Sequence, residues 1–359
     1  MIRTYLPTQD ASIYEDFSWK NTGHDEILEF GRSSAEPSAS IRSLIQFNIA
    51  DISASLADRT IPANSTFELK LNVARVDNLQ LGQVIHLMMI TGSWVEGSGY
   101  FYQNTNVPLM TASLVGPYPT TGYVETDGTT WKTRASGTLW RASGSDVIAA
   151  SGTLSQSVAD PVVALVFDVT NFIAKWVSGS ANAGMVIKFS AADESNSFYA
   201  GNIKCFSRQT HTIYAPTLTS KWNSQTYITG TLSNADLSGV LINPTNLART
   251  YTSGDMARVK LSVRDQYPLK TFAEQFVLYA GNQLLPSSSY FSIVDAQSNY
   301  VVIPFGDSSR INCDGTGSYF DFYIEGMYPG RIYKTMVKTT NGTFTRHFDM
   351  GHTFTIGQV

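Results

Sequence analysis

The chain has 359 residues, of which 15% are charged and 12% aromatic, and its formal net charge is −4. With no run of five Lys/Arg residues, it lacks the basic footprint that binding to DNA or RNA requires. Its longest apolar runs, such as PVVALVFDV, are of strand length and fall well short of the roughly eighteen residues of a membrane span, so no membrane insertion is expected.

The N-terminal segment MIRTYLPTQDASIY enters strand-like alternation almost at once, without a basic-plus-apolar leader. Residues 21–23 and 78–82 read as turns, and the balance of the first half is that of many short strands and polar loops. Residues 103–128 hold Pro108, Pro117 and Pro119 and no periodicity, which predicts a long surface excursion where function would be placed. Next comes TDGTTWKTRASGTLWRASGSDVIAASGTL, with Trp131 and Trp140 nine residues apart and a Gly144-Ser145-Asp146 turn behind them. One helix is predicted, from about Asn171 to Val177, capped by Thr170 and burying Phe172, Ile173, Trp176 and Val177.

After Trp222 the chain becomes polar and turn-rich as far as Tyr251, then resumes strand alternation. Near the end, IYKTMVKTTNGTFTRHFDM places Asn341-Gly342 between two alternating runs, a strong hairpin signal. A second β-rich domain over residues 223–359 is therefore expected. Cys205 and Cys313 fall in different predicted domains, so they read as small apolar residues and not as a disulfide framework.

The order of these pieces resembles the DNRLRE-type β-sandwich family over residues 1–222. PTQDASIYEDFSWKNTGHDEILEFGR (residues 7–32) looks like its opening pair of strands, and IRSLIQFNIADI (residues 41–52) like the strand that follows. FELKLNVARV (residues 67–76) resembles its alternating strand, and HLMMITGSWVEGSGYF (residues 86–101) the strand ending in Trp-x-Glu, here Trp94 and Glu96. The Trp131/Trp140 segment matches the family's Gly-x-Thr-Trp piece, second Trp and Gly-Gly-Asp-like turn, with Ser145 in place of the second glycine. FDVTNFIAKWVSG, GMVIKFSA and APTLTSKW resemble the short helix and two closing strands. The resemblance implies an all-β, jelly-roll-like β-sandwich over residues 1–222 followed by a β-rich attachment domain. It implies structural roles for Trp94, Trp131, Trp140 and Asp146.

Catalytic constellations are absent from the sequence: there is no nucleophile elbow, phosphate loop, His-Glu-x-x-His or Cys-x-x-Cys. Glu15 with Asp16, and Asp193 with Glu194, are adjacent carboxylates that extended structure would send to opposite faces, which makes them solvated charges and not an acid/base pair. The stretch from Asp314 to Gly317 reads as a turn. His347 and His352 have a spacing a metal site uses but that a strand and turn more often separate. Asp10, Glu15 and Asp16 are the one oxygen-rich group that suits calcium; without a dense Asp/Asn ladder the expectation is no cofactor. Exposed aromatics for sugar binding are sought at Trp19, Tyr100, Tyr102, Tyr118 and Tyr123, with Trp131 and Trp140 as further candidates against a core role.

Together these features predict a non-enzymatic bacteriophage virion protein of the neck, tail, baseplate or head surface, made in the host cytoplasm. Its expected partners are other virion proteins, further copies of itself in a homo-oligomer, and a host surface glycan. The alternative is a carbohydrate-binding module of a secreted or cell-surface bacterial protein. Assembly contacts are expected at the C-terminal hairpin through Tyr333, Met336, Phe344 and Phe348.

Overall fold

The computed structural model describes residues 1–33, 39–101, 128–135, 137–146, 152–158, 163–196, 200–267 and 283–357. It is nearly all β, with large curled antiparallel sheets in a sandwich-like arrangement. The chain divides into two compact units, Tyr5–Thr219 and a second made of Met1–Thr4 with Ser220–Val359.

Thirteen strands precede residue 222 among the described residues: β1 Ile2–Tyr5, β2 Gln9–Tyr14, β3 Ile27–Arg32, β4 Ser40–Gln46, β5 Thr66–Asp77, β6 Val84–Met89, β7 Thr133–Ala135, β8 Thr138–Leu139, β9 Thr153–Ser157, β10 Ala164–Asp168, β11 Met185–Phe189, β12 Asn202–Phe206 and β13 Thr217–Lys221. In the first unit the order runs β13-β5-β12-β3-β4-β11-β6-β9, with β10 on β5 and β2 on β4. Strand β5 is long enough to serve two neighbours, pairing residues 68–72 with β10 and residues 73–77 with β12. Its alternation explains its place: Phe67, Leu69 and Leu71 are buried while Glu68 and Lys70 reach the surface. Strand β11 is buried along its whole length because it lies between β4 and β6. Each fully buried Leu, Ile or Phe of this core contributes about 1.5–3 kcal/mol by leaving water.

Among the described residues, three helices accompany these strands: α1 Ile49–Ala57, α2 Thr170–Val177 and α3 Ala191–Ser195. Helix α1 corrects the reading of residues 41–52 as one strand. Asn48 caps it by accepting the Ala50 N–H at 3.1 Å, and Ile49, Ile52 and Ser55 form its buried stripe. Helix α2 stands where the sequence placed it and buries Phe172, Ile173 and Trp176, but Thr170 is its first residue and not its cap. Asp168 accepts both the Thr170 N–H (3.0 Å) and its hydroxyl (2.6 Å), while Thr170 Oγ1 accepts the Phe67 N–H.

Asp193 and Glu194 are also corrected, since they lie on α3 and are not solvated charges. The Glu194 side chain is 9% exposed and takes a bidentate pair from Arg42 and a bond from Lys188 Nζ at 2.7 Å. Asp193 accepts the Val84 N–H and the Ser190 hydroxyl. Arg42 also lies over the Trp131 ring, 4.9 Å from its centroid, and donates to the Gly144 carbonyl. The cation thus ties the tryptophan segment to α3.

Trp94, Trp131 and Trp140 sit in one buried cluster with Ala11, Ile13, Leu44, Met88, Ile90, Ala183 and Val186. The indole N–H groups of Trp94 and Trp140 are satisfied by the carbonyls of Ala183 (2.9 Å) and Thr130 (3.0 Å). Asp146 closes the following turn by accepting the N–H groups of Arg141 and Ala142. In that turn Gly144 and Ser145 both have positive φ, +81° and +89°, and the buried Ser145 hydroxyl has no hydrogen-bond partner among the described residues. A serine there carries backbone strain and an unsatisfied group at once. Ser145→Gly is accordingly expected to raise unfolding stability by about 1–2 kcal/mol, net of glycine's entropy cost; a urea titration that shows a loss would refute this.

The second unit is a β-sandwich of its own. Its strands are β14 Tyr227–Ile228, β15 Val240–Pro244, β16 Thr250–Tyr251, β17 Met256–Asp265, β18 Ser289–Asp295, β19 Val301–Ile303, β20 Asn312–Asp314, β21 Ser318–Tyr323, β22 Ile332–Thr340 and β23 Thr345–Ile356. They form two five-stranded sheets, β14-β20-β21-β17-β15 and β16-β23-β22-β18-β19. Val259, Leu261, Phe320 and Phe322 of one pack with Phe291, Ile293, Val337 and Phe354 of the other, and Phe291 stacks on Phe320 at 4.4 Å. The polar stretch after Trp222 is folded into this sandwich, supplying β14, β15 and β16. Asn341 and Gly342 do turn a hairpin: Asn341 Oδ1 accepts the N–H groups of Thr343 and Phe344, and Gly342 has φ +91°.

This hairpin divides the expected assembly residues. Tyr333 is corrected: at 1% exposure, with its hydroxyl on Tyr328, it fills the core and offers a partner nothing. Phe348 packs partly on the same core, Met336 is half-buried, and Phe344 stands 55% exposed at the tip. Cys205 and Cys313 are both buried free thiols.

Candidate functional site

The first unit carries a cleft of about 820 Å³ at the ends of β2, β3, β5 and β12. Tyr14, Phe17, Tyr100 and Phe101 give it aromatic walls, and Asp16, Asp25, Glu26, Glu29 and Asp77 give it carboxylates, against the cations Arg32, Arg75 and Lys204. The Tyr14 and Phe101 rings lie 4.9 Å apart, and Phe17 meets Phe101 edge-on at 5.6 Å.

Glu29 is the hub of the polar part. It is an acidic residue between the buried Leu28 and Phe30 of β3, and its carboxylate accepts from Asn202 Nδ2 (2.6 Å) and Tyr14 OH (3.2 Å). Lys204 Nζ stands 3.8 Å from Glu29 and 3.0 Å from Asp77, which Arg75 also holds at 2.6 Å. Burial pushes the Glu29 carboxyl above its ordinary range, with Lys204 opposing. Burial of Tyr14, aided by the negative charge of Glu29, likewise raises its phenol. Asp77 is held low by its bond to Lys204. Asp25 accepts the Phe101 N–H on both oxygens, at 3.2 and 3.1 Å. Its burial outweighs that bond and raises its carboxyl to about 6.

Two buried groups build the wall. Lys20 is fully buried, with Nζ 3.6 Å from the Phe101 centroid, 4.6 Å from Phe17 and 5.7 Å from Trp19. Its ammonium meets no hydrogen-bond acceptor among the described residues, so ring faces replace its hydration. Burial lowers its pKa. Asn21, also fully buried, donates to the carbonyls of Glu96 (2.7 Å) and Thr129 (2.8 Å) and accepts the N–H groups of Gly99 (2.8 Å) and Gly23 (3.3 Å). Glycines 97, 99 and 128 leave it room, since a Cβ on any of them would come within 2.2–2.8 Å of the amide. One side chain thereby fixes the backbone just before Tyr100 and Phe101 and again at Thr129.

Of the residues expected to bind sugar, Tyr100 lines the cleft and is 39% exposed, with His24 edge-on against it at 5.7 Å. Trp19 is half-buried beside Lys20 and is not among the cleft's lining residues. Trp131 and Trp140 are in the core, which leaves them no face for a sugar. Tyr102, Tyr118 and Tyr123, with most of the excursion expected at residues 103–128, lie outside the described residues. Asp25, Glu29 and Asn202 were missed by sequence reasoning. A carboxylate on the buried strand ILEFGR was the one signal available for Glu29.

The structure does not gather the three acidic residues that could suit calcium. Asp10 is the second residue of β2 and Glu15 follows its end, about 17 Å away in extended chain. Glu15 accepts the Ser40 N–H, and Asp16 is exposed at the cleft. His347 and His352 are likewise spread along β23, His347 on the Phe305 ring and His352 on the Met350 carbonyl. Among the described residues no group of three or more His, Cys, Asp or Glu is placed to hold a metal, and no helix is long and apolar enough to cross a membrane.

Asp10 does something else. It is buried, with Oδ2 on the Arg208 N–H at 2.7 Å, while Glu96 takes the Asp10 N–H (2.9 Å) and the Arg208 guanidinium (2.7 Å). Burial raises its carboxyl to about 7, the Arg208 N–H opposing and Glu96 adding. The folded chain thus holds a proton there that the unfolded chain, with a carboxyl near 3.8, has released. Stability contributed by that proton is complete below about pH 4 and lost as pH rises to about 7, at no more than about 1.4 kcal/mol per pH unit. Urea midpoints taken between pH 5 and 8 are expected to fall less steeply for Asp10→Asn than for the parent; identical slopes would show that Asp10 does not titrate there.

The chain matches no protein-family model, and a search of curated proteins finds no match to its sequence.

Proposed function

We propose that the chain is a non-enzymatic structural and recognition protein of a bacteriophage particle, whose first unit binds a surface glycan and whose second unit attaches it to other virion proteins. The observation that carries the recognition role is the cleft itself. Its volume of about 820 Å³ suits a small oligosaccharide, and its aromatic walls adjoin convergent acceptors and donors on Glu29, Asp25, Asn202 and Lys204. Sugars present apolar ring faces beside dense hydroxyls, and that pairing of surfaces fits them. The virion context rests on the resemblance of residues 1–222 to DNRLRE-type sandwiches.

Glycan-array binding by the full chain tests the recognition role, and the protein composition of purified particles tests the context. Bound glycans are expected, with Tyr100→Ala weakening them while leaving the fold intact. A chain that binds glycans but is found on no particle favours the alternative, a carbohydrate-binding module of a secreted or cell-surface protein. Hydrolysis of a polysaccharide by the purified chain would overturn the non-enzymatic reading.

A further inference from the structure

The cleft is unbalanced in charge and in hydrogen bonding. Five carboxylates face three cationic side chains across it, and the cations are unevenly spent. Lys204 and Arg75 neutralise Asp77, and Lys204 reaches Glu29 only at 3.8 Å. Among the described residues the Asp25 carboxylate accepts only the Phe101 N–H and has no cation at ion-pair distance, the buried Lys20 ammonium acting on it only at longer range. Asn202 is an independent sign. It lines the cleft, is 9% exposed, and gives its N–H to Glu29, but its buried Oδ1 has no hydrogen-bond partner among the described residues.

A site with surplus acceptors and surplus negative charge asks for a ligand that donates and is positive. Neutral sugars supply donors but no charge, and uronic acids or sulfated sugars bring the repelled sign. We propose that the glycan bound in this cleft carries free, protonated amino groups, an amino sugar without its acetyl cap, with the ammonium placed between Asp25 and Glu29. The aromatic walls contribute to this choice, because a ring face and an edge-on ammonium use both kinds of surface at once. The raised carboxyls of Asp25 and Glu29 agree with it, since an under-compensated acid gains most from an arriving cation.

This inference rests on the glycan reading above, and its test separates the two. Calorimetric titration of the full chain at near-neutral pH would compare a glucosamine oligomer, the matching N-acetylglucosamine oligomer, a uronic-acid oligomer and a lysine-rich peptide. The glucosamine oligomer is expected to bind at least about tenfold tighter than its acetylated form, and to weaken as salt is added. Asp25→Asn and Glu29→Gln, which each remove the charge and keep one of the two acceptor oxygens, should lower affinity for the glucosamine oligomer more than for the acetylated one and so erase that preference. Equal affinity for the two oligomers overturns the amine claim and leaves glycan recognition standing. Preference for the uronic acid overturns the amine claim as well. No binding of any sugar overturns both, and tighter binding of the lysine peptide makes the cleft a protein-recognition site.

Discussion

Trp140→Ala is expected to lower the unfolding free energy of the first unit by about 3–5 kcal/mol, with Trp131→Ala close behind. Both rings are buried, at 5% and 7% exposure, in a cluster that also holds Trp94, Leu44, Ile90 and Val186. Removing the Trp140 indole leaves a cavity and orphans the Thr130 carbonyl it satisfies. Removing Trp131 strips Arg42 of the ring beneath it and loosens the guanidinium that holds both Glu194 and the Gly144 carbonyl. Urea unfolding followed by far-ultraviolet circular dichroism measures the loss independently of tryptophan emission. Variants that keep full stability yet lose glycan binding would return both tryptophans to a sugar-binding role.

Asn21→Ala should cost a comparable amount, again about 3–5 kcal/mol, by a different mechanism. The substitution deletes no large apolar surface, but it leaves two carbonyls and two N–H groups without partners in a buried place, at about 1–3 kcal/mol for each group that water cannot reach. Because those groups lie on either side of residues 102–127, amide exchange at Gly99 and nearby residues should accelerate before the sandwich as a whole unfolds. Asn21→Asp is an informative partner: it keeps the two acceptor bonds but puts a carboxylate oxygen against the Glu96 and Thr129 carbonyl oxygens, so it too should destabilise. A loss below about 1 kcal/mol for Asn21→Ala would show that water or a backbone shift satisfies the orphaned groups.

How much could be read in advance depended on whether a residue's role is made locally. Strand β5 was legible in FELKLNVARV because alternation is a property of the segment itself, and the β22–β23 hairpin was legible because Asn-Gly needs only its own backbone. Helix α1 was hidden: its three alanines favour a helix, but it is only nine residues long and follows closely on the strand IRSLIQ, so its cap, Asn48, sat inside what looked like one continuous run. Tyr100 was named because a loop aromatic is conspicuous. Asp25 and Glu29 were not, because nothing in a linear sequence marks a carboxylate whose character comes from burial beside Phe101 and Asn202, residues far along the chain. The same blindness made Glu194 look solvated and Tyr333 available.

The Asn21 clamp has a consequence for the interval it brackets. It grips the chain on both sides of a 26-residue interval, residues 102–127, with bonds that involve none of the residues between. Closing a longer or shorter interval changes the entropy only logarithmically with length, by about 0.6 kcal/mol for each doubling. The bonds that hold the chain at residues 96–99 and at Thr129 are therefore indifferent to the side chains between them. What a substitution must leave untouched for this grip to persist is Asn21 and the three glycines packed around its amide.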